Sequence, residues 1–211
     1  MGDTFLVLGT TNAGKVRELV ALLTPVGIAC RSLAELTGAV EVEETGTTFA
    51  ENAALKATAQ ARALGHWVLA EDSGLVVPAL GGAPGVLSAR FAGPPSPGDA
   101  AAPDERNNRL LLERLAGASG GDRSAWYACH ATLADPAGRI VAEATGECHG
   151  LIARSPRGAG GFGYDPLFVV RECHRTFAEI GSAYKAVVSH RGRALRSLLP
   201  LLERHVAAAP R

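Results

Sequence analysis

Four short stretches combine glycine with residues that can hold an anion, a cation or an aromatic ring. The first is Gly9-Thr10-Thr11-Asn12-Ala13-Gly14-Lys15. Two glycines separated by four residues and followed by Lys match a phosphate-binding P-loop. The next residue, however, is Val16, where that motif needs a hydroxyl for Mg²⁺. At a strand-to-helix turn such a loop still aims backbone N–H groups and one ammonium at a polyphosphate. An ordinary turn of that kind has the same composition. The second stretch, Glu43-Glu44-Thr45-Gly46, precedes a helix start, where the helix dipole favours acids.

The third stretch, Glu71-Asp72-Ser73-Gly74, follows an apolar run. That places its carboxylates at a strand end, a common ligand position in open α/β sheets; a capped turn would use the same residues. Mg²⁺ takes one or two carboxylates and keeps several waters. Glu44 and Asp72 could therefore supply the metal site that Val16 cannot. The fourth group is Gly161-Phe162-Gly163-Tyr164-Asp165-Pro166 with Lys185 and Ser189-His190-Arg191. An aromatic ring in a glycine loop can stack on a base, and an arginine can donate to a base oxygen.

Composition narrows the field. The chain has 211 residues and equal numbers of basic and acidic side chains, so bulk charge favours neither nucleic acid nor a membrane surface. No apolar run reaches a membrane span. The N-terminal MGDTFLVLGT reads as a first strand and not as a signal peptide. Cys30, Cys129, Cys148 and Cys173 form no CxxC, which fits reduced thiols in a cytosolic protein. Three of them precede a histidine. Neighbours on a strand point to opposite faces, so one such pair rarely supplies two zinc ligands. Of the 21 basic residues only Lys15, Lys56 and Lys185 are lysines. A chain that prefers Arg so strongly can retain Lys where a compact ammonium is needed.

These groups need positioning. Residues 5–9 read as a buried strand and 14–23 as a helix burying Val16, Leu19, Val20 and Leu23. Residues 45–65 form a helix, opened by the capping box Thr48-x-x-Glu51 and closed at Gly65. On it Asn52 and Lys56 share a face, most simply a solvated one. Residues 66–71 read as a strand ending at Asp-Ser-Gly. A proline-rich loop covers 94–103, a helix 104–117. Strands over 123–134 and 139–149 are joined by the turn Asp135-Pro136-Ala137-Gly138. A last helix starts near Ser189 and buries Leu195, Leu198, Leu199, Leu202 and Val206. The mixture implies an α/β fold with a mixed sheet.

Five stretches, TTNAGKVRE, EETGTTFAENAALKA, EDSGLVVPALGGAPGVLSARFAG, GGFGYDPLF and SHRGRAL, together resemble the inosine triphosphate pyrophosphatase family. Its members are diphosphatases of nonstandard purine nucleoside triphosphates. The stretches run in the family's order from residue 10 to 195, and the three lysines fall inside or beside them. The resemblance implies one bilobed domain over 1–211, an elongated mixed β-sheet with flanking helices in two lobes around a central cleft. It also implies a cytoplasmic homodimer that uses one or more Mg²⁺ ions. By motif match, Asp72 is the catalytic carboxylate and a metal ligand, and Glu44 the second metal-site acid. Thr10, Thr11, Asn12, Ala13, Gly14 and Lys15 match the turn that holds the triphosphate. Lys56, Ser73 and Lys185 match further substrate contacts. Phe162, Gly163, Tyr164 and Asp165 match the loop for base and sugar, and His190 and Arg191 the pair at the base.

Two positions depart from the family pattern. Thr11 replaces a frequent Gly, which is awkward if φ must be positive there. Glu71 replaces a frequent Asp and reaches one methylene further. The implied reaction converts ITP, dITP or XTP to the nucleoside monophosphate and pyrophosphate. Three rival readings share parts of this pattern. A P-loop kinase needs a hydroxyl at position 16. A non-catalytic nucleotide sensor would lose the two acids, which are present. A hydrolase of another modified nucleotide would carry the same phosphate machinery.

Overall fold

The computed structural model describes residues 5–207; Met1–Thr4, on which part of the N-terminal reading rests, lie outside them. Along the chain run β1 (Leu6–Leu8), α1 (Ala13–Leu23), β2 (Cys30–Ser32), α2 (Phe49–Leu64) and β3 (Val68–Val76). They are followed by α3 (Pro103–Arg114), β4 (Ser124–Ala134), β5 (Ile140–Ile152), β6 (Phe168–Val170), α4 (Ser182–Val188) and α5 (His190–Leu202). The strands form one sheet in the order β2-β1-β3-β4-β5-β6. β1 pairs in parallel with β2 and β3, and β5 pairs antiparallel with β6, so the sheet is mixed. This is the α/β class that the sequence implies.

The chain divides into two compact units. The first comprises Met1–Asp72, Cys129–Gly146 and His190–Arg211. Its core joins Leu6, Leu8 and Leu69 to Leu19 and Leu23 of α1 and to Leu195, Leu198 and Leu202 of α5. A smaller cluster sets Val7 and Val68 against Ala57 and Ala61 of α2. Gly9 lets the strands approach, since a β-carbon there would lie 2.8 Å from that of Ala70. The second unit comprises Ser73–Ala128 and Glu147–Ser189. Its core is built on Leu75, Leu111, Tyr127, Phe168 and Phe177, with Tyr127, Phe168 and Phe177 in mutual ring contact.

Local signals set the helix ends. The Thr48–Glu51 capping box forms in both directions, and Gly65 closes α2 at φ 65°. The Asp135–Gly138 turn joins β4 and β5, and the Asp135 carboxylate accepts from the N–H groups of Ala137 and Arg139.

Three sequence expectations need correction. β3 does not end at Asp-Ser-Gly but runs through it to Val76, because the carboxylates within it find partners on α1, α2 and α5. Val20 is 38% exposed, at the edge of an α1 face formed by Val16, Leu19, Leu22 and Leu23. The Asn52 and Lys56 face is not solvated; Asn52 is fully buried. The last helix, α5, starts at His190, next to Ser189 as the sequence implies, and a short helix that the sequence did not suggest, α4, precedes it.

Candidate active site

In the first unit α2 presents Asn52 and Lys56, one turn apart, to Asp72 on β3. Asn52 Nδ2 donates to Asp72 Oδ2 at 3.2 Å. Asn52 Oδ1 accepts from the Gly46 N–H at 2.8 Å, which ties the Glu43–Gly46 segment to the same helix. Gly46 has no room for a side chain, since an added β-carbon would meet Asn52 Oδ1 at 2.6 Å. Lys56 Nζ lies 3.2 Å from Glu44 Oε1 and 3.4 Å from Asp72 Oδ1. Two acids 28 positions apart thus share one ammonium.

Lys15, in the first turn of α1, joins this group from the other side. Its Nζ is 3.2 Å from Glu71 Oε1 and 4.0 Å from Asp72 Oδ1. The turn before it is held locally. Asn12 caps α1 by accepting the Lys15 N–H at 3.1 Å, and Thr10 Oγ1 accepts the Asn12 N–H at 3.2 Å. Thr11, Asn12 and Ala13 are exposed, while Gly14 is buried. Among the described residues His174 is the one non-glycine with positive φ, so Thr11 fits its backbone without strain.

Glu71 anchors a buried ionic cluster. Its Oε1 accepts from Arg191 Nε at 3.2 Å and Nη2 at 3.0 Å. Arg191 Nη1 donates to Glu18 of α1. Burial alone would lower the Arg191 pKa, but Glu71 and Glu18 outweigh it and hold the guanidinium well above its ordinary value. Cys129 Sγ approaches Glu71 Oε2 at 3.4 Å. Burial, with Glu71 adding to it, raises that thiol far above the usual range and keeps it protonated. His190 is buried beside Arg191 at the start of α5.

In the second unit the glycine loop is shaped by left-handed turns at Gly161 (φ 77°) and Gly163 (φ 61°). Asp165 Oδ2 accepts from the Phe162 N–H at 2.9 Å and from Lys185 Nζ at 2.5 Å. The Lys185 ammonium also lies 5.0 Å from the ring centres of both Phe162 and Phe177. Tyr164 belongs to the core, where its hydroxyl donates to the Ser88 carbonyl at 2.9 Å. Burial, with the Asp104 charge adding to it, raises its phenol above the usual range. Ser73 is half-buried within β3.

Residues 6–201 match the model of the Ham1 family. The chain belongs to the Ham1 family. A dITP/XTP pyrophosphatase of Exiguobacterium sp. is 53% identical to it, over 92% of this chain and 94% of the relative. A dITP/XTP pyrophosphatase of Rhodopirellula baltica is 50% identical, over 95% of this chain and 94% of the relative. Among solved structures, a HAM1 protein from Coxiella burnetii superposes with TM-score 0.80 at 39% identity, covering 94% of this chain and 98% of its own.

The donor set of this Ham1 chain suits a hard cation. Glu44 and Asp72 offer oxygen and already converge on one positive charge. Among the described residues no group of three or more His, Cys, Asp or Glu side chains gathers as a protein-only metal cage. Sequence reasoning passed over two residues here. Asn52 orients Asp72, and its signal was its placement one turn before Lys56. Glu18 holds Arg191 across 173 positions, a pairing no local pattern reveals.

Proposed function

We infer that this chain hydrolyses nonstandard purine nucleoside triphosphates (dITP, XTP and ITP) to the nucleoside monophosphate and pyrophosphate. The observation that carries the reading is the convergence of Glu44 and Asp72 on one ammonium, beside Lys15 at the N-terminus of α1. The dITP/XTP pyrophosphatase relatives, matched over nearly their whole length, support the substrate class.

Glu44 and Asp72 would hold Mg²⁺. When bound, the cation neutralises phosphate oxygens and favours deprotonation of a coordinated water. Asp72, fixed by Asn52, accepts a proton from the attacking water as its oxygen bonds to phosphorus. The bridging P–O bond then breaks and its electron pair leaves with pyrophosphate. Lys15 and the N–H groups of the Thr10–Gly14 turn donate to the polyphosphate, and Lys56 and Lys185 supply further positive charge. Ser73 and the Phe162–Asp165 loop, with His190 and Arg191, receive the sugar and base. Hypoxanthine and xanthine carry an acceptor oxygen where adenine carries an amino donor. Arg191 and backbone N–H groups can only donate, and a buried donor left unpaired against adenine costs about 1–3 kcal/mol.

Residues 1–211 are proposed to act as one catalytic domain, in a cytoplasmic homodimer. No helix of the described residues is long and apolar enough to cross a membrane. The deciding experiment is a substrate panel with product identification. dITP, XTP and ITP should give pyrophosphate with Mg²⁺ present, ATP and GTP far more slowly, and Asp72→Asn should bind nucleotide without turning it over. Orthophosphate as product, or equal turnover of ATP, would overturn the reading.

A further inference from the structure

The helix α3 grips the glycine loop at a single residue, Gly163. Asp104, in its first turn, accepts the Gly163 N–H at 2.7 Å. Asn108, one turn on, donates from Nδ2 to the Gly163 carbonyl at 3.0 Å. Both polar groups of one left-handed residue are thereby held by side chains 55 and 59 positions away. A cavity of about 590 Å³ is lined by Glu105, Asn108 and Leu112 of α3 and by Gly160, Phe162 and Pro166 of the loop.

α3 is itself pinned. Pro103 starts it, with Asp104 and Glu105 in the first turn, where the dipole favours them. Asp99 of the proline-rich lead pairs with Arg109 at 2.5 Å, and Arg106 Nη1 donates to the Ala101 carbonyl at 2.7 Å. On the neighbouring face the buried Asn107 donates to the Ser88 and Ala89 carbonyls and accepts the Ala92 N–H. The 94–103 segment thus sets where α3 begins and how it is turned.

We propose that Asp104 and Asn108 are positioning residues for substrate recognition: through Gly163 they set the placement of Phe162 and Asp165, and the proline-rich lead is the brace behind them. The proposal rests on the assignment of the Phe162–Asp165 loop to the base. Neighbours of the clamped glycine then determine how well the base fits, while the phosphate chemistry in the first unit is untouched. Binding of ground state and transition state should weaken together, which appears in KM and not in kcat.

The test is steady-state kinetics on dITP with Asp104→Ala, Asn108→Ala, Asp104→Asn and, as control, Phe162→Ala, paired with hydrogen exchange at the Gly163 amide. Asp104 is exposed, so its truncation opens no core void. The expected result for each alanine variant is a KM raised about five- to tenfold, with kcat within about twofold of wild type. Asp104→Asn, whose amide oxygen accepts the same N–H, should restore KM. Gly163 exchange should speed up in Asp104→Ala and not in Asp104→Asn. Faster exchange with unchanged KM, while Phe162→Ala does raise KM, overturns the clamp and leaves the base assignment standing. If Phe162→Ala leaves KM unchanged, the base assignment and the clamp both fall. A drop in kcat equal to the rise in KM would also overturn it.

Discussion

Asn52 and Asp72 meet as a buried pair, Nδ2 to Oδ2 at 3.2 Å, and the other end of the same amide holds the Gly46 N–H at 2.8 Å. One side chain therefore fixes the proposed catalytic carboxylate and the segment bearing the second acid. Losing it frees Asp72 to rotate and loosens Glu44 together. Partners that orient metal-site carboxylates typically change activity or affinity by about 10- to 100-fold when removed. Asn52→Ala should lower kcat/KM for dITP in that range and raise the Mg²⁺ requirement. Asn52→Asp, which sets a carboxylate against a carboxylate, should be worse than alanine. A magnesium titration of the rate checks both, and wild-type rates in Asn52→Ala would remove the orienting role.

Glu44 carries the more exposed side chain of the two acids, 30% against 8% for Asp72. It should contribute to cation affinity more than to the proton transfer. Glu44→Gln should shift the half-saturating Mg²⁺ concentration upward by about tenfold or more, with much of the rate recovered at high Mg²⁺. Asp72→Asn should not recover at any Mg²⁺ concentration. Removing the cation with a chelator should stop wild-type turnover, and adding it back should restore it. Parallel magnesium curves for wild type and Glu44→Gln would take Glu44 out of the metal site.

What the sequence made legible was local. Thr48 and Glu51 are three residues apart, and Asp135 to Arg139 closes within five positions; short-range chemistry of this kind is written directly in residue order. Carboxylate chemistry and motif resemblance could suggest that the two acids pair, but their meeting depends on α2 packing beside β3, which residue order does not show. The polar stretch Glu71-Asp72-Ser73 looked like the end of a strand because its partners come from elsewhere: Lys15 on α1, Asn52 and Lys56 on α2, and Arg191, 120 positions on. With those charges satisfied, β3 continues. β2 spans three residues and α4 seven, too short for any periodic pattern to emerge.

Cys30 gives a pH-dependent prediction. Burial raises its thiol from the usual 9.0 to about 11. Folding therefore favours the protonated form, so this contribution to stability is complete below pH 9.0. It is lost as pH climbs from there through about 11, where the unfolded chain releases the proton first. Urea titrations at pH 8, 9.5 and 11 should show wild type losing stability more steeply than Cys30→Ala across that window. Below pH 8 the two should respond to pH in parallel. Curves that stay parallel to pH 11 would show that the thiol is not held back by burial.

Arg191 serves two demands that can be separated. It pairs with Glu71, which is 1% exposed, and with Glu18, so it neutralises charge that α1 and β3 bring into the core. Removing it as Arg191→Met takes the guanidinium from Glu71 and leaves Lys15 at 3.2 Å. Breaking a buried pair from one side typically costs about 3–5 kcal/mol, because the remaining charge stays buried without its partner. Denaturant midpoints should report a loss of that order, and the double variant Glu71→Gln/Arg191→Met should recover a large part of it. Arg191→Lys should fall between, since a single ammonium cannot reproduce the paired Nε and Nη2 contacts. If Arg191 also donates to the purine oxygen, the stabilised double variant should regain folding yet still bind dITP weakly and discriminate poorly against ATP. Full recovery of discrimination along with stability would confine Arg191 to holding α1, β3 and α5 together.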